Sequence, residues 1–272
     1  MVKTGSIALA ACMLACAAGP ASAADSVPVQ ATFLLESRVL GEARRINVQT
    51  PPRYEVDGRV RYPVLYMPDG GLEEDFPHVA ATVEAAIRAG EIEAMILVGI
   101  ENTERRRDLT GPTAVASDRR IAPRVGGSAA FRAFIADELM PEVERRYRTS
   151  ARRAIVGESL AGLFVLETLF VRPELFDTYI ALSPSLWWND GALVEGAASR
   201  LAGWPRARAR TLYFATASDD DIGGAAVALK AVMKDHAPPG LRWQHESWPG
   251  YDHSDIYRRA APDVFRKVFA RP

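Results

Sequence analysis

The residues best suited to chemistry are a serine and a histidine that lie far apart in the chain. Ser159 stands in the run Gly157–Gly162, which reads Gly-Glu-Ser-Leu-Ala-Gly, and His253 stands in the turn-rich run Trp248–Ser254. A serine hydroxyl becomes a good nucleophile when a positioned base takes its proton. The pair therefore predicts acyl transfer, with Ser159 as nucleophile and His253 as general base.

The local context of Ser159 strengthens this interpretation. An apolar run, Ala154–Val156, precedes it and a helical pattern, Leu160–Phe170, follows it, which is the strand, tight turn and helix of a nucleophile elbow. Small residues two before and two after the serine let strand and helix approach, and Gly157 and Ala161 occupy those places. Alanine replaces the more usual second glycine, and Gly162 follows at once.

The remaining three histidines suit ordinary structural roles. His245 lies inside a predicted strand, His236 near a helix end, and His78 at the start of an early helix. We expect all three to be surface or packing residues.

A carboxylate should orient the histidine and stabilise its protonated form. The order serine, acid, histidine places it after the strand Thr211–Ala217, where Asp219, Asp220 and Asp221 follow. Asp219 is the first candidate and Asp221 the second, with Glu246 as an outside option. Alternatively, the three aspartates only cap a helix that starts near Ile222, since acidic residues favour helix N-termini.

Acyl transfer also needs donors for the oxyanion. The N–H of Leu160 follows the nucleophile and is the first candidate. The second is the N–H of Gly71 or Leu72 in the run Met67–Leu72, directly after a predicted strand. The glycine pair in this run is also compatible with an ordinary turn.

Short apolar runs and helical patterns alternate along most of the chain. The runs typical of buried parallel strands are 63–67, 94–100, 154–156, 179–182 and 211–215, with a further strand at 241–247. Helical spacing covers 79–89, 128–146, 160–170, 225–234 and 256–269. The segments 32–39 and 44–50 predict an antiparallel pair at a sheet edge, whereas 103–127 predicts a long functional loop. This pattern indicates an α/β fold with helices on both faces of a mainly parallel sheet.

The first residues indicate export. Lys3, an apolar stretch from Ile7 to Ala18 and the small residues up to Ala23 form the pattern of a secretory signal peptide. We expect residues 1–23 to be removed and 24–272 to form one domain, with a periplasmic location more expected than full secretion. The apolar stretch is shorter than the roughly 20 residues that span a bilayer, so no membrane span is predicted. Cys12 also fits a lipobox, which leaves lipidation as an alternative.

Composition excludes several classes of function. Both cysteines of the chain, Cys12 and Cys16, lie in the leader, so the exported protein would lack disulfides and a cysteine nucleophile. The formal net charge of −1 gives no reason to expect nucleic acid as a partner. No metal-ligand cluster or nucleotide-binding motif is present in the sequence, and we expect no metal and no cofactor.

Four segments together resemble one family. They are Asp69-Gly70-Gly71, the stretch from Val98 to Thr110, Gly157–Gly162, and the run Ser183–Asn189, in the family's order and across most of the chain. The chain is similar to the "putative esterase", or esterase D-like, branch of the α/β-hydrolases, which includes siderophore esterases. The resemblance implies the α/β-hydrolase fold and hydrolysis of a small-molecule ester through an acyl-enzyme at Ser159.

The resemblance also implies that Arg107, with Asp108, and Trp187, with Trp188 and Asn189, line or brace the substrate pocket. The alternative is that Arg107 and Asp108 pair only with each other and that the tryptophans only pack. Two other functions stay open: an acyltransferase using the same acyl-enzyme, and a non-catalytic binding protein on this scaffold. The sequence leaves the ester substrate and the oligomeric state open.

Overall fold

The computed structural model describes residues 30–204, 209–218 and 224–270. Within them, eight strands form a single sheet in the order β1-β2-β4-β3-β5-β6-β7-β8. The strands are β1 (Gln30–Ser37), β2 (Glu42–Gln49), β3 (Tyr62–Pro68), β4 (Ile96–Ile100), β5 (Thr149–Glu158), β6 (Thr178–Leu182), β7 (Arg210–Ala217) and β8 (Leu241–Trp248).

The sheet is parallel except at its N-terminal edge. β1 pairs antiparallel with β2, and β2 pairs antiparallel with β4, whereas all pairings from β4 through β3 to β8 are parallel. The predicted edge hairpin is thereby confirmed. Parallel strands need crossover connections, and these bring helices to both faces of the sheet.

The helices of the described residues vary greatly in length. They are α1 (Phe76–Arg88), α2 (Arg105–Leu109), α3 (Ala116–Arg120), α4 (Ser128–Phe134), α5 (Met140–Arg146), α6 (Leu160–Val171), α7 (Ala192–Glu195), α8 (Ala197–Ala202), α9 (Ala225–His236) and α10 (Ile256–Phe269). A π-helical turn, Ile135–Leu139, joins α4 to α5, and a 3₁₀ turn, Trp188–Gly191, precedes α7.

Two apolar clusters lie on opposite faces of the sheet. One packs α1 and α10 against the sheet, and the other packs α4, α5, α6, α8 and α9 against it. Helix α6 is apolar on nearly all sides, with ten of its twelve residues buried, as expected for a helix inside a core. The predicted α/β architecture is confirmed, and the carboxyl ends of β3, β5, β6 and β7 meet at one edge of the sheet.

Four expectations need correction or fall outside the described residues. The predicted helix 128–146 is interrupted by the π turn, and the predicted loop 103–127 contains the short helices α2 and α3. The helix expected to start near residue 222 is α9, whose described part begins at Ala225. The leader 1–23 and residues 219–223 lie outside the described residues. In the part that is described, no helix is long and apolar enough to span a membrane.

Candidate active site

Ser159 occupies a strained turn between β5 and α6. Its backbone has φ 58° and ψ −122°, a conformation that L-residues rarely adopt and that costs about 1 to 3 kcal/mol. A Cβ on Gly157 would lie 2.6 Å from the carbonyl carbon of Ala161, so only glycine fits there. Ala161 fills the second small position and is fully buried. The predicted elbow is thus present in the structure.

The structure brings the predicted base to the predicted nucleophile. His253 lies between β8 and α10, and its Nε2 is 3.0 Å from Oγ of Ser159. Backbone contacts join this loop to the end of β7: Ser218 donates its N–H to the carbonyl of Tyr251 and accepts the N–H of Gly250 on its hydroxyl. The histidine therefore sits on a loop that two strand ends hold in place.

A second hydroxyl lies beside the nucleophile. Oγ of Ser185 is 3.3 Å from Oγ of Ser159, and the N–H of Ser185 donates to the carbonyl of Ser159 at 3.0 Å. Ser185 follows β6, which pairs with β5. Sequence reasoning quoted this serine for the resemblance but gave it no site role, although its place after the neighbouring strand was a usable signal.

The third member of the predicted triad falls outside what the structure describes. Asp219, Asp220 and Asp221 directly follow the end of β7 and its turn residue Ser218, but they lie outside the described residues, so the identity of the acid stays a prediction. Glu246, the outside option, accepts hydrogen bonds from Lys267 at 2.5 and 2.7 Å and from the hydroxyl of Tyr213 at 2.9 Å. The carboxylate of Glu246 is therefore already held by Tyr213 and Lys267.

The other histidines lie where the sequence places them. His245 is on β8, within 3.1 Å of the Thr216 hydroxyl, and His236 ends α9. His78 lies in the first turn of α1, 3.1 Å from Asp75, and it lines the pocket in front of Ser159. His78 thus lines the pocket, and the expectation that it is a packing residue stays a prediction.

The structure places the two predicted oxyanion donors on α6 and on the loop after β3. Leu160 is the first residue of α6, immediately after the nucleophile. The N–H of Gly71 donates to Oε2 of Glu74 at 2.7 Å. A substrate oxygen can take this N–H only if Glu74 releases it. Burial raises the pKa of Glu74, opposed by the hydrogen bonds from Gly71 and Asn102, so the carboxyl group has a reduced preference for charge.

Close backbone packing fixes the Gly70–Gly71 loop. A Cβ on Gly70 would lie 2.3 Å from Cα of Gly99, and the N–H of Gly70 donates to the carbonyl of Ile100. Glycine is therefore required at position 70 by the approach of β4. This requirement favours a loop of defined backbone position over an ordinary turn.

An arginine of α2 also lies in the pocket. Arg105 on α2 donates through Nε and Nη2 to the two carboxylate oxygens of Asp69, both at 2.7 Å. Asn102 also donates to Asp69, at 2.5 Å. Such a fork holds the guanidinium rigidly, and Arg105 lines the same pocket as Ser159 and His253.

The pocket in front of Ser159 has a volume of about 270 Å³. Its lining is strongly polar. Besides Ser159 and His253 it is formed by Asp75, His78, Arg105, Glu158, Ser254, Tyr257 and Arg258.

Arg107, predicted to bind substrate, belongs to an ion network that braces α2. It donates to Oε1 of Glu42 and to Oδ1 of Asp108, both at 2.7 Å. Asp108 also contacts Arg44 at 2.5 Å, and both of those side chains are almost fully buried. The hydrogen bond from Arg107 is the main cause that lowers the pKa of Glu42 to about 2. The geometry thus gives Arg107 a bracing position, and it also lines a neighbouring cavity of about 520 Å³.

The predicted tryptophan segment divides into an exposed and a buried residue. Trp187 is 38% exposed, whereas Trp188 is buried and donates its indole N–H to the carbonyl of Gly111 at 2.9 Å. Asn189 accepts hydrogen bonds from Thr113 and Ala114. This segment therefore braces the 103–127 region, and the substrate role of Trp187 stays a prediction.

The sheet order, the strained elbow after β5 and the histidine loop after β8 together define an α/β-hydrolase. The chain belongs to the family described as "Putative esterase", whose model matches residues 37–254.

Proteins similar to this chain include two that are named siderophore esterases. The chain is 36% identical over 194 residues to the ferri-bacillibactin esterase BesA of Bacillus subtilis, covering 63% of each chain. It is 37% identical over 183 residues to the siderophore triacetylfusarinine C esterase of Aspergillus fumigatus, covering 63% of this chain and 61% of that protein. The chain thus matches less than two thirds of the length of these relatives.

A solved structure shares the fold. An IroE-like serine hydrolase from Shewanella oneidensis superposes with a TM-score of 0.80 at 28% identity, covering 89% of this chain and 80% of that chain.

Proposed function

We propose that this protein is an exported serine esterase that hydrolyses a carboxylic ester through an acyl-enzyme at Ser159. The observation that carries the proposal is the 3.0 Å contact between Nε2 of His253 and Oγ of Ser159 on a strained elbow. A base within hydrogen-bond reach is the geometric requirement for activating a serine. Family membership supports the ester as the bond that is attacked.

The reaction follows from this geometry. His253 takes the hydroxyl proton while Oγ of Ser159 bonds to the ester carbonyl carbon, and the carbonyl electrons move to its oxygen. The N–H of Leu160, and that of Gly71 once Glu74 releases it, are the candidate donors to this oxyanion. Imidazolium then gives its proton to the leaving alkoxide as the C–O bond breaks. Water, deprotonated by the same imidazole, hydrolyses the acyl-enzyme.

The names of the relatives support a siderophore-type ester as substrate. BesA is named as a ferri-bacillibactin esterase and the Aspergillus protein as a siderophore triacetylfusarinine C esterase. A strongly polar pocket of about 270 Å³ suits an ester carrying polar groups near the scissile bond. The leader-like residues 1–23 support export, and a periplasmic location is part of the proposal.

The test is hydrolysis of a short-chain p-nitrophenyl ester series and of siderophore trilactones by the protein without residues 1–23. We expect activity that falls by about 10³-fold or more in Ser159→Ala and in His253→Ala. A fluorophosphonate probe should label the parent and not the Ser159→Ala variant.

Three outcomes would change the conclusion. An unlabelled parent without activity would refute the esterase and favour a binding protein. Labelling with acyl transfer to an added alcohol but no hydrolysis would indicate an acyltransferase. Detection of the protein in the cytosolic fraction, with its leader intact, would contradict export.

A further inference from the structure

A largely buried carboxyl group lies close to the nitrogen that accepts the proton in the proposed reaction. Glu158 is the last residue of β5, directly before the nucleophile, and its side chain is 15% exposed. Its Oε1 is 3.3 Å from Nε2 of His253, the same nitrogen that lies 3.0 Å from Oγ of Ser159. Both the serine and the carboxyl group therefore face one imidazole nitrogen.

This placement follows from the strand and the elbow. Successive side chains of β5 alternate between the two faces of the sheet, but at the carboxyl end of the strand the chain turns sharply into α6. Glu158 therefore lies at the sheet edge and lines the pocket together with Ser159 and His253.

The charged groups around Glu158 come from four elements. His253 lies on the loop before α10, Arg105 on α2, Asp69 after β3, and Asp75 just before α1, whose first turn carries His78. Tyr257 and Arg258 of α10 complete the pocket wall. The charge of Arg105 is already paired with Asp69 through two hydrogen bonds. His253 contacts Glu158 directly, at 3.3 Å, and becomes a cation when it takes the proton of Ser159.

We propose that Glu158 is a positioning residue for His253: its carboxylate, 3.3 Å from Nε2, stabilises the imidazolium that forms when Ser159 loses its proton. This inference rests on the proposed esterase reaction. The step balances because the proton moves from Oγ to Nε2 as the bond from Oγ to the carbonyl carbon forms, and Glu158 exchanges no atom.

The ionisation of Glu158 gives the proposal a pH signature. Burial is the largest influence and raises the pKa of Glu158 to about 8, while His253 and Arg105 lower it and Asp69 and Asp75 raise it. Below that pH the group is mainly neutral and stabilises imidazolium weakly; above it, the group is a carboxylate. Activity should therefore show a rise centred near pH 8.

The size of the rise follows from the contact distance. An opposite charge within about 4 to 6 Å shifts a pKa by roughly 1 to 3 units, and 3.3 Å is inside that range. We expect kcat/KM, which reports ionisations of the free enzyme, to increase by about tenfold across this ionisation, the lower end of that range.

The test compares kcat and KM from pH 6 to pH 10 in the parent and in Glu158→Gln. The amide keeps the size of the side chain and removes a charge that burial disfavours, so the variant should remain folded. We expect the parent to show the rise near pH 8 and Glu158→Gln to lack it. The KM of the variant should stay within about twofold of the parent's. Glu93→Gln, the same change before β4 at the opposite edge of the sheet, is the control and should match the parent.

Two results would overturn the inference. One is a Glu158→Gln profile that has the same shape as that of the parent; the other is a parent rate that falls as the carboxylate forms. If the parent hydrolyses no ester and takes no fluorophosphonate label, the proposed function fails first. If it does both and the profiles coincide, only the role of Glu158 fails.

Discussion

Replacing Asp108 by asparagine should destabilise the fold because it unbalances a buried cation. Arg44 is fully buried, its Nη2 is 2.5 Å from Oδ2 of Asp108, and its Nε and Nη1 have no hydrogen-bond partner within the described residues. Breaking a buried ion pair by removing one partner costs about 3 to 5 kcal/mol. Glu42 still contacts Arg44 at 2.6 Å. The expected loss in the free energy of unfolding is therefore near the lower end of that range, about 3 kcal/mol.

The assay is urea unfolding at pH 7, followed by far-UV circular dichroism, together with a thermal scan. For a chain of this size each kcal/mol shifts the Tm by about 2 to 4 °C, so the Tm should fall by roughly 6 to 12 °C. Asp57→Asn is the control, because Asp57 pairs with Arg53 at 3.5 Å on the surface, where such pairs contribute about 0 to 1 kcal/mol.

A double-mutant cycle separates the pair from general damage. Adding Arg44→Met removes the stranded cation, so the double variant should be more stable than the sum of the two single changes predicts. A loss below about 1 kcal/mol for Asp108→Asn would refute the reasoning. So would strict additivity, because it would mean that the two charges do not depend on each other.

Three further outcomes follow from the structure. Gly157→Ala should abolish fluorophosphonate labelling, because its Cβ would lie 2.6 Å from backbone at Ala161; normal labelling would contradict the elbow geometry. Tyr257→Phe should leave the free energy of unfolding unchanged or raise it by about 1 kcal/mol, since the buried hydroxyl has no partner within the described residues; a loss above that in urea unfolding would indicate a missed hydrogen bond. The pKa of Glu42 is lowered from 4.5 to about 2, so its contribution to stability is complete above pH 4.5 and is lost as the pH falls toward 2. Glu42→Gln should therefore flatten the dependence of the free energy of unfolding on pH in this range. An unchanged dependence would show that the pairing with Arg107 is not formed in solution.

The sheet could be predicted from sequence because buried parallel strands leave a direct trace. The apolar runs 63–67 and 179–182 coincide closely with β3 and β6. By contrast, β5 extends from Thr149 to Glu158, well beyond the predicted core 154–156. Its first half is polar and carries arginines, so hydrophobicity alone does not reveal it.

The proposed nucleophile and base could be paired from the sequence because the fold fixes their places in chain order, and the structure places the two side chains 3.0 Å apart. The bracing network was not, since Arg107 is held by Glu42, which lies 65 residues away in sequence, and no local pattern encodes that pairing. Glu158 was missed for a different reason. Its role depends on how closely the loop before α10 approaches β5, and only the three-dimensional structure gives that distance.

Three neighbouring strands end in residues with positive φ that are not glycine: Asp69 after β3 (56°), Ser159 after β5 (58°) and Ser183 after β6 (42°). Half of the six non-glycine residues with positive φ in the described part of the chain thus lie along the edge that bears the pocket. Glycine would adopt each of these conformations without strain, but at Ser159 that change would remove the proposed nucleophile, and at Asp69 it would remove the carboxylate that holds Arg105. Relief of backbone strain and retention of the pocket therefore conflict at two of the three positions.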